Sequence, residues 1–177
     1  MMLINPIPTP TRHSVFFTVR LRDDSADLLV RHIEILRLSV RLCQLRYPFT
    51  IDDAVILPNR VHMIWSLPRD DQEYAKRWKV IKATFVQNLP RQSGADASTA
   101  PRVNIWQRRF WDRPILSRQA MEECRDMIRM APVQAGLVDD PAAWPYSRDA
   151  RLLAQVRQTA KAPVLPAKAP VLRLVKG

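Results

Sequence analysis

Residues 57–65 read Leu57-Pro58-Asn59-Arg60-Val61-His62-Met63-Ile64-Trp65. Pro58 and Asn59 favour a tight turn, and the residues that follow them are typical of a buried strand. Because side chains two apart on a strand share a face, we expect one face to carry Arg60, His62, Ile64 and Ser66. The opposite face then carries the apolar residues Val61, Met63, Trp65 and Leu67. The stretch predicts a strand with one core face and one face that presents a basic pair.

The elements around this strand predict the fold class. Alternating residues indicate strands at 14–22 and 49–57, and the second forms a hairpin with residues 60–67. Apolar residues three and four apart predict helices after Asp23-Asp24-Ser25 and after Asp70-Asp71, and a third from a Ser117 cap to Ala131, where Pro132 ends it. With a further strand before the third helix, this order fits a ferredoxin-like α+β sandwich. We expect an antiparallel sheet covered on one side by helices, with an open face that can hold a site.

Length and composition indicate one domain with two flanking segments. The chain has 177 residues, enough for one sizeable core at 13–150. We expect a Pro-rich arm at 1–12, a flexible loop at 90–102, and a disordered tail at 151–177 that repeats Lys-Ala-Pro-Val-Leu. No apolar run approaches the ~20 residues of a membrane span and no signal peptide is evident, so a cytoplasmic protein is predicted. Cys43 and Cys124 are then reduced core residues.

The charge is strongly positive and uneven. The net charge is +11, and all 17 acidic residues precede position 150. The tail carries only basic residues, at Arg151, Arg157, Lys161, Lys168, Arg173 and Lys176. A basic domain with a more basic tail favours a polyanionic partner, of which nucleic acid is the main class.

Two further stretches are candidates for nucleic-acid contact. Residues 104–115 interleave Trp106, Phe110 and Trp111 with Arg108, Arg109 and Arg113, which suits a single strand whose bases stack on rings and whose phosphates meet arginines. Alternatively, the tryptophans are core residues that the arginines surround. The second predicted helix presents Lys79 and Lys82, either as a face that follows phosphates or as an ordinary solvated face.

Several stretches together resemble one family. They are Phe16-Phe17-Thr18-Val19, Val55-Ile56-Leu57-Pro58-Asn59-Arg60-Val61-His62, Arg77-Trp78-Lys79-Val80-Ile81-Lys82, Ile105-Trp106-Gln107-Arg108-Arg109-Phe110-Trp111, Ala131-Pro132-Val133-Gln134-Ala135-Gly136-Leu137 and Trp144-Pro145-Tyr146-Ser147. In this order, across residues 13–148, they resemble the REP-associated tyrosine transposases, single-domain relatives of the small insertion-sequence HUH transposases. The resemblance implies an HUH sandwich that recognises short DNA hairpins with a flanking single strand.

The resemblance also implies a site, from which this chain departs. In the family, two strand histidines and a polar residue of the last helix bind Mg²⁺ or Mn²⁺, and a tyrosine one helical turn away attacks the phosphate of single-stranded DNA. Here the first histidine position is Arg60 and the second is His62. The third ligand position is Ala131 and the tyrosine position is Met127. A guanidinium has no lone pair for a metal, and a thioether is not an oxygen nucleophile.

These departures shape the expected function. We expect a DNA-binding protein without strand cleavage, with no cofactor, that acts at the nucleoid on single-stranded or hairpin DNA. Arg60 and His62 either hold a phosphate or have no binding role. In the second case, Arg60 extends its charged group into solvent and His62 is a polar residue with its hydrogen bonds satisfied. The alternatives are an active metal-dependent endonuclease with an unorthodox site, and a protein-interaction module derived from a transposase. The DNA sequence recognised and the oligomeric state stay open.

Truncation after Ala150 tests the role of the tail. Six positive charges without acids act on phosphates through counterion release, which does not depend on base sequence. We expect the truncated protein to bind every DNA ligand more weakly by a similar factor and with a flatter salt dependence, measured by fluorescence anisotropy. A changed ranking of ligands would instead make the tail a reader of sequence.

Overall fold

The described part of the chain contains one four-stranded sheet in which every neighbouring pair runs antiparallel. A computed structural model describes residues 12–90 and 104–148. Its elements are β1 (Arg12–Arg20), α1 (Leu28–Arg31), α2 (Ile33–Arg46), β2 (Thr50–Ile56), β3 (Arg60–Pro68), α3 (Tyr74–Asn88), β4 (Trp111–Ile115), α4 (Arg118–Gln134) and a 3₁₀ turn at Pro141–Ala143. The strand order β2-β3-β1-β4 is that of a ferredoxin-like sandwich, which confirms the predicted α+β class.

Three predicted segments fall largely outside the described residues. They are the N-terminal arm at 1–12, the loop at 90–102 and the basic tail at 151–177. Within the described ranges, no helix is long and apolar enough to cross a membrane.

The hairpin predicted around Pro58-Asn59 joins β2 to β3. The backbone N–H of Leu57 donates to the carbonyl of Arg60 at 2.8 Å, which closes the turn. The side chain of the buried Asn59 donates to the carbonyl of Asp24 and so ties the turn to the segment before α1.

The first core lies between the sheet and helices α1 to α3. The β3 residues predicted for the core face pack here together with Phe17 of β1 and Trp78 of α3. The rings of Trp65 and Trp78 stack with centroids 4.6 Å apart. The single helix predicted after Asp23 is two helices, α1 and α2, because the backbone at His32 leaves the helical region.

Helix α4 covers part of the opposite face, which corrects the expectation of a face left open. Cys124, Ile128 and Ala131 are spaced at one helical turn and pack with Phe16 and Ile64 in a second core. Both cysteines are buried and free, as predicted. Trp144 also belongs to this second core, and its indole N–H donates to the carbonyl of Ile56 at 2.9 Å, so the 144–147 motif closes the domain against β2.

The end of α4 corrects a second expectation, because Pro132 lies inside the helix instead of ending it. A proline removes one N–H, but the next turn still forms through the Ala135 N–H, which donates to the carbonyl of Ala131 at 3.0 Å. The helix ends at Gln134, and two residues later Gly136 has a φ of 67°, which is easily adopted only without a β-carbon. Its N–H donates to the carbonyl of Val133, which completes a glycine cap.

A buried arginine fastens α3 to the segment before it by an ion pair, and to the residues after α2 by a hydrogen bond. Arg77 is 3% exposed, and its guanidinium donates to both carboxylate oxygens of Asp71, at 2.8 and 2.6 Å. It also donates to the carbonyl of Pro48 at 3.2 Å. The hydrogen bonds from Arg77 are the main reason that the pKa of Asp71 lies below its ordinary value of 3.8.

We expect Asp71→Ala to destabilise the fold by about 3 kcal/mol in urea unfolding, because it leaves a buried guanidinium without its counter-ion. The exposed pair Glu73–Lys76 supplies the control, since Glu73→Ala should change stability little. Because folding lowers the pKa of Asp71, its contribution is complete above pH 3.8 and disappears as the pH falls through the folded-state pKa. Equal stability losses in the two variants would contradict this account.

Candidate functional site

The central strands β1 and β3 bring together polar residues on the face that α4 partly covers. Thr18 lies opposite His62, and Arg20 lies opposite Arg60. The Thr18 hydroxyl is 2.9 Å from Nδ1 of His62, and the imidazole stacks on Phe16 with centroids 5.9 Å apart. The ring of His62 is therefore held from its edge and from one face.

These residues border a cavity of about 480 Å³, which we call the first cavity. It lies among β1, β3, the start of β4, the segment before β4, and α4. Its lining residues are Thr18, Arg20, His62, Gln107, Arg109, Phe110, Trp111 and Met127. The cavity thus contains His62 and Met127, two of the four positions that the sequence singled out, together with two arginines and no acidic residue.

The charges around the first cavity are positive and unpaired. Within the described ranges, none of Arg20, Arg60 and Arg109 makes an ion pair with a carboxylate. Among the described residues, the Arg60 guanidinium donates only to the side chain of its neighbour Asn59, at 3.1 Å. Burial, followed by the charges of Arg60 and Arg20, lowers the pKa of His62 to about 4, so His62 is neutral at physiological pH.

The residues present do not fit a divalent cation. Ala131 offers a methyl group, is 7% exposed and packs in the second core. Met127 is 44% exposed but offers only a thioether, and Arg60 brings a positive charge close to His62. In the ranges that the structure describes, no three His, Cys, Asp or Glu side chains are grouped so that they could hold a metal ion.

A second cavity, of about 680 Å³, lies between α3 and the segment before β4. Lys79, Lys82 and Arg108, three of the predicted DNA-binding residues, line it. Lys82 is partly buried, which lowers its pKa, and its ammonium donates to the carbonyl of Gln107 at 2.9 Å. The same ammonium lies 5.8 Å from the centres of the Trp106 and Phe110 rings.

The structure corrects one predicted contact, that of Trp106, and shows a partner for a second, Arg113. Trp106 is 2% exposed and packs edge-on against Phe85, so its ring belongs to the core and offers no face to a base. Arg113 stays a predicted contact, and it forms an exposed ion pair with Glu123 of α4 at 3.2 Å. The exposed ring is instead Trp111, which is 51% exposed and meets Phe16 edge to face at 5.7 Å.

Sequence reasoning missed Thr18, Arg20, Gln107 and the exposure of Trp111. A signal for the first two was present, because they alternate with the buried Phe17 and Val19 on β1. Their proximity to His62 depends on the register of β1 against β3, which the alternation alone does not define.

The fold and the cavity together define an HUH-type sandwich, in which a central strand faces the last helix across the site. No protein-family model matches the chain. It is 33% identical over 132 residues to a REP-associated tyrosine transposase of Escherichia coli, covering 75% of this chain and 73% of the relative. A Haemophilus influenzae protein described in the same terms is 33% identical over 135 residues, covering 75% and 77%.

A solved structure agrees with these relatives. The structure of a REP-associated tyrosine transposase bound to a REP hairpin matches with a TM-score of 0.70 and 28% identity, over 99% of this chain and 100% of that one. The chain belongs to the REP-associated tyrosine transposases.

Restoring the family residues tests the mapping of the site. We expect the triple variant Arg60→His, Met127→Tyr, Ala131→Asn to bind Mn²⁺ in calorimetry, while the parent does not, because it regains two ligands beside His62. DNA cleavage can lag behind metal binding, since small errors in the position of a nucleophile cost about 100-fold in rate. The control adds His62→Ala to the triple variant and should abolish the Mn²⁺ signal. Absence of binding in a folded triple variant would show that the four positions do not converge.

Proposed function

We propose that this protein binds single-stranded or hairpin DNA across the two cavities and does not cleave the strand that it binds. The observation that carries the proposal is that the cavities share a wall, since Gln107 and Phe110 line both. The basic residues of the two cavities therefore form one surface and not two separate patches.

The chemistry of this surface suits a DNA strand. Within the described ranges, Lys79, Arg108, Arg20 and Arg109 make no ion pair, so their charges are available to phosphates. Trp111 adds an exposed ring on which a base can stack, and such stacking tolerates any base. Cations along a strand path with an aromatic platform are the usual components of single-strand binding.

Kinship supports the choice of ligand. The solved relative of the same fold is bound to a REP hairpin. A DNA hairpin with a flanking single strand is therefore the ligand class that we propose for this chain. Action at the nucleoid follows from binding to DNA.

The proposed lack of cleavage rests on the missing nucleophile. The chain has three tyrosines, Tyr47, Tyr74 and Tyr146, all within the described residues, and none lines the first cavity. The Tyr74 hydroxyl donates to the carboxylate of Asp112 at 3.3 Å, and Tyr74 packs against the first core, on the other side of the sheet from the first cavity. A nucleophile must reach the phosphate that it attacks, and the cavity side chains supply no such hydroxyl except Thr18, whose oxygen is engaged with His62.

The test for cleavage uses a fluorescent REP hairpin with a single-stranded 5′ extension. Incubation with Mg²⁺ or Mn²⁺ should give neither a nicked product nor a covalent adduct on a denaturing gel. An adduct that disappears on replacing one of the three tyrosines by phenylalanine would favour the competing view of an active enzyme with an unorthodox site.

The test for binding follows the same hairpin by anisotropy over a range of salt concentrations. The double variant Lys79→Gln, Arg108→Gln should bind more weakly and lower the salt slope by about 2, since each phosphate contact contributes about 1. Arg129→Gln is the matched control, because Arg129 is exposed on α4 and paired with Asp126. An unchanged slope in the double variant would exclude the second cavity from the strand path.

A further inference from the structure

The arginines around His62 repel one another in the free protein. Arg20 and Arg60 are directly opposite each other on neighbouring strands and share a face. Like charges in that position destabilise a sheet. Arg109 adds a third guanidinium from the segment before β4, since it lines the same cavity as Arg20. A bound anion would relieve this repulsion.

Three acidic residues of β4 and α4 that lie close in sequence to the first cavity are engaged elsewhere. On β4, Asp112 accepts a hydrogen bond from Tyr74, on the opposite side of the sheet. On α4, Glu123 pairs with Arg113 and Asp126 pairs with Arg129. Among the described residues, no carboxylate thus neutralises the three arginines from within the protein.

We propose that Arg20, Arg60 and Arg109 hold one phosphodiester group of the bound DNA strand directly, in the position where the family places a metal ion. The proposal rests on the proposed function and adds the group that the first cavity recognises. Guanidinium groups suit phosphate because their planar N–H donors match pairs of its oxygens. A divalent cation at the same place would add to three positive charges and be repelled.

The other lining residues extend this site from a phosphate to a nucleotide. Thr18 engages Nδ1 of His62, which leaves Nε2 as the ring nitrogen available to a ligand. Trp111 lines the same cavity and is half exposed, so a base next to the held phosphate has a ring to stack on. A volume of about 480 Å³ lies within the usual range of ligand pockets. The site therefore binds a phosphate with its adjoining base and contains no group to break the strand.

A scan of the DNA tests this assignment in EDTA. Each phosphodiester of the single-stranded extension is replaced in turn by a neutral methylphosphonate, and affinity for the parent protein is measured by anisotropy. We expect replacement at one position to lower the affinity about 10-fold or more, because a charge that accepts hydrogen bonds is removed there. Replacement at the other positions should lower the affinity less. In Arg20→Gln and in Arg109→Gln, the loss of affinity at that one position should be smaller than in the parent, because one of the three coupled partners is gone.

The controls separate failure of this site from failure of DNA binding. Lys79→Gln should weaken binding of every DNA ligand, yet the sensitive phosphate position should still show its full loss of affinity. Replacing EDTA by Mn²⁺ should leave the profile unchanged. If the parent protein binds no hairpin, the proposed function fails. If it binds the hairpin but no phosphate position couples to Arg20 or Arg109, only the phosphate site is overturned. The phosphate site is also overturned if the position-dependent loss appears only with Mn²⁺.

An experiment without DNA gives an independent reading. At low salt, Arg20→Gln should raise the midpoint of thermal unfolding, because it removes one of two opposed charges. Inorganic phosphate at constant ionic strength should raise the midpoint of the parent more than that of the variant, through preferential binding to the folded state. A lower midpoint for Arg20→Gln, with an equal response to phosphate in both proteins, would contradict the proposal.

Discussion

The register between β1 and β3 is the constraint on which the rest of the structure depends. It places Val61 opposite Val19 and Met63 opposite Phe17, so one face of both strands enters the first core. A shift by one residue would turn every side chain to the other face and bury the arginines. The hydrophobic effect on one face therefore holds Thr18, Arg20, Arg60 and His62 in place on the other, and it offsets the repulsion between the opposed Arg20 and Arg60.

A buried aromatic residue organises the entrance to the site. Trp106 forms an isolated bridge to Leu21, the residue after β1, and the Gln107 N–H donates to the carbonyl of Arg20 at 2.9 Å. The segment is thus fixed immediately before its two arginines, of which Arg108 lines the second cavity and Arg109 the first. The buried Trp106 thereby places consecutive charges at two cavities.

Local patterns in the sequence were enough to predict the hairpin, the two faces of β3 and the Ser117 cap, whose hydroxyl accepts from the Ala120 N–H. These features depend on neighbours within a few residues. The sequence was not enough to decide which tryptophan is buried, because Trp106 and Trp111 have similar surroundings and only the pairing of their segments with β1 separates them. The coverage by α4 and the convergence of Arg20 with Arg60 likewise depend on long-range packing.

The exposure of a single ring among five tryptophans gives the protein an optical property. Trp65, Trp78, Trp106 and Trp144 are buried, whereas Trp111 stands half in water beside arginines. Its emission is therefore the component of the intrinsic fluorescence that responds to solvent, over a background from the four shielded indoles. Iodide, drawn to the guanidinium groups, will quench it more efficiently than caesium does. Occupancy of the first cavity is consequently visible in the unlabelled protein as protection of one fluorophore from an anionic quencher.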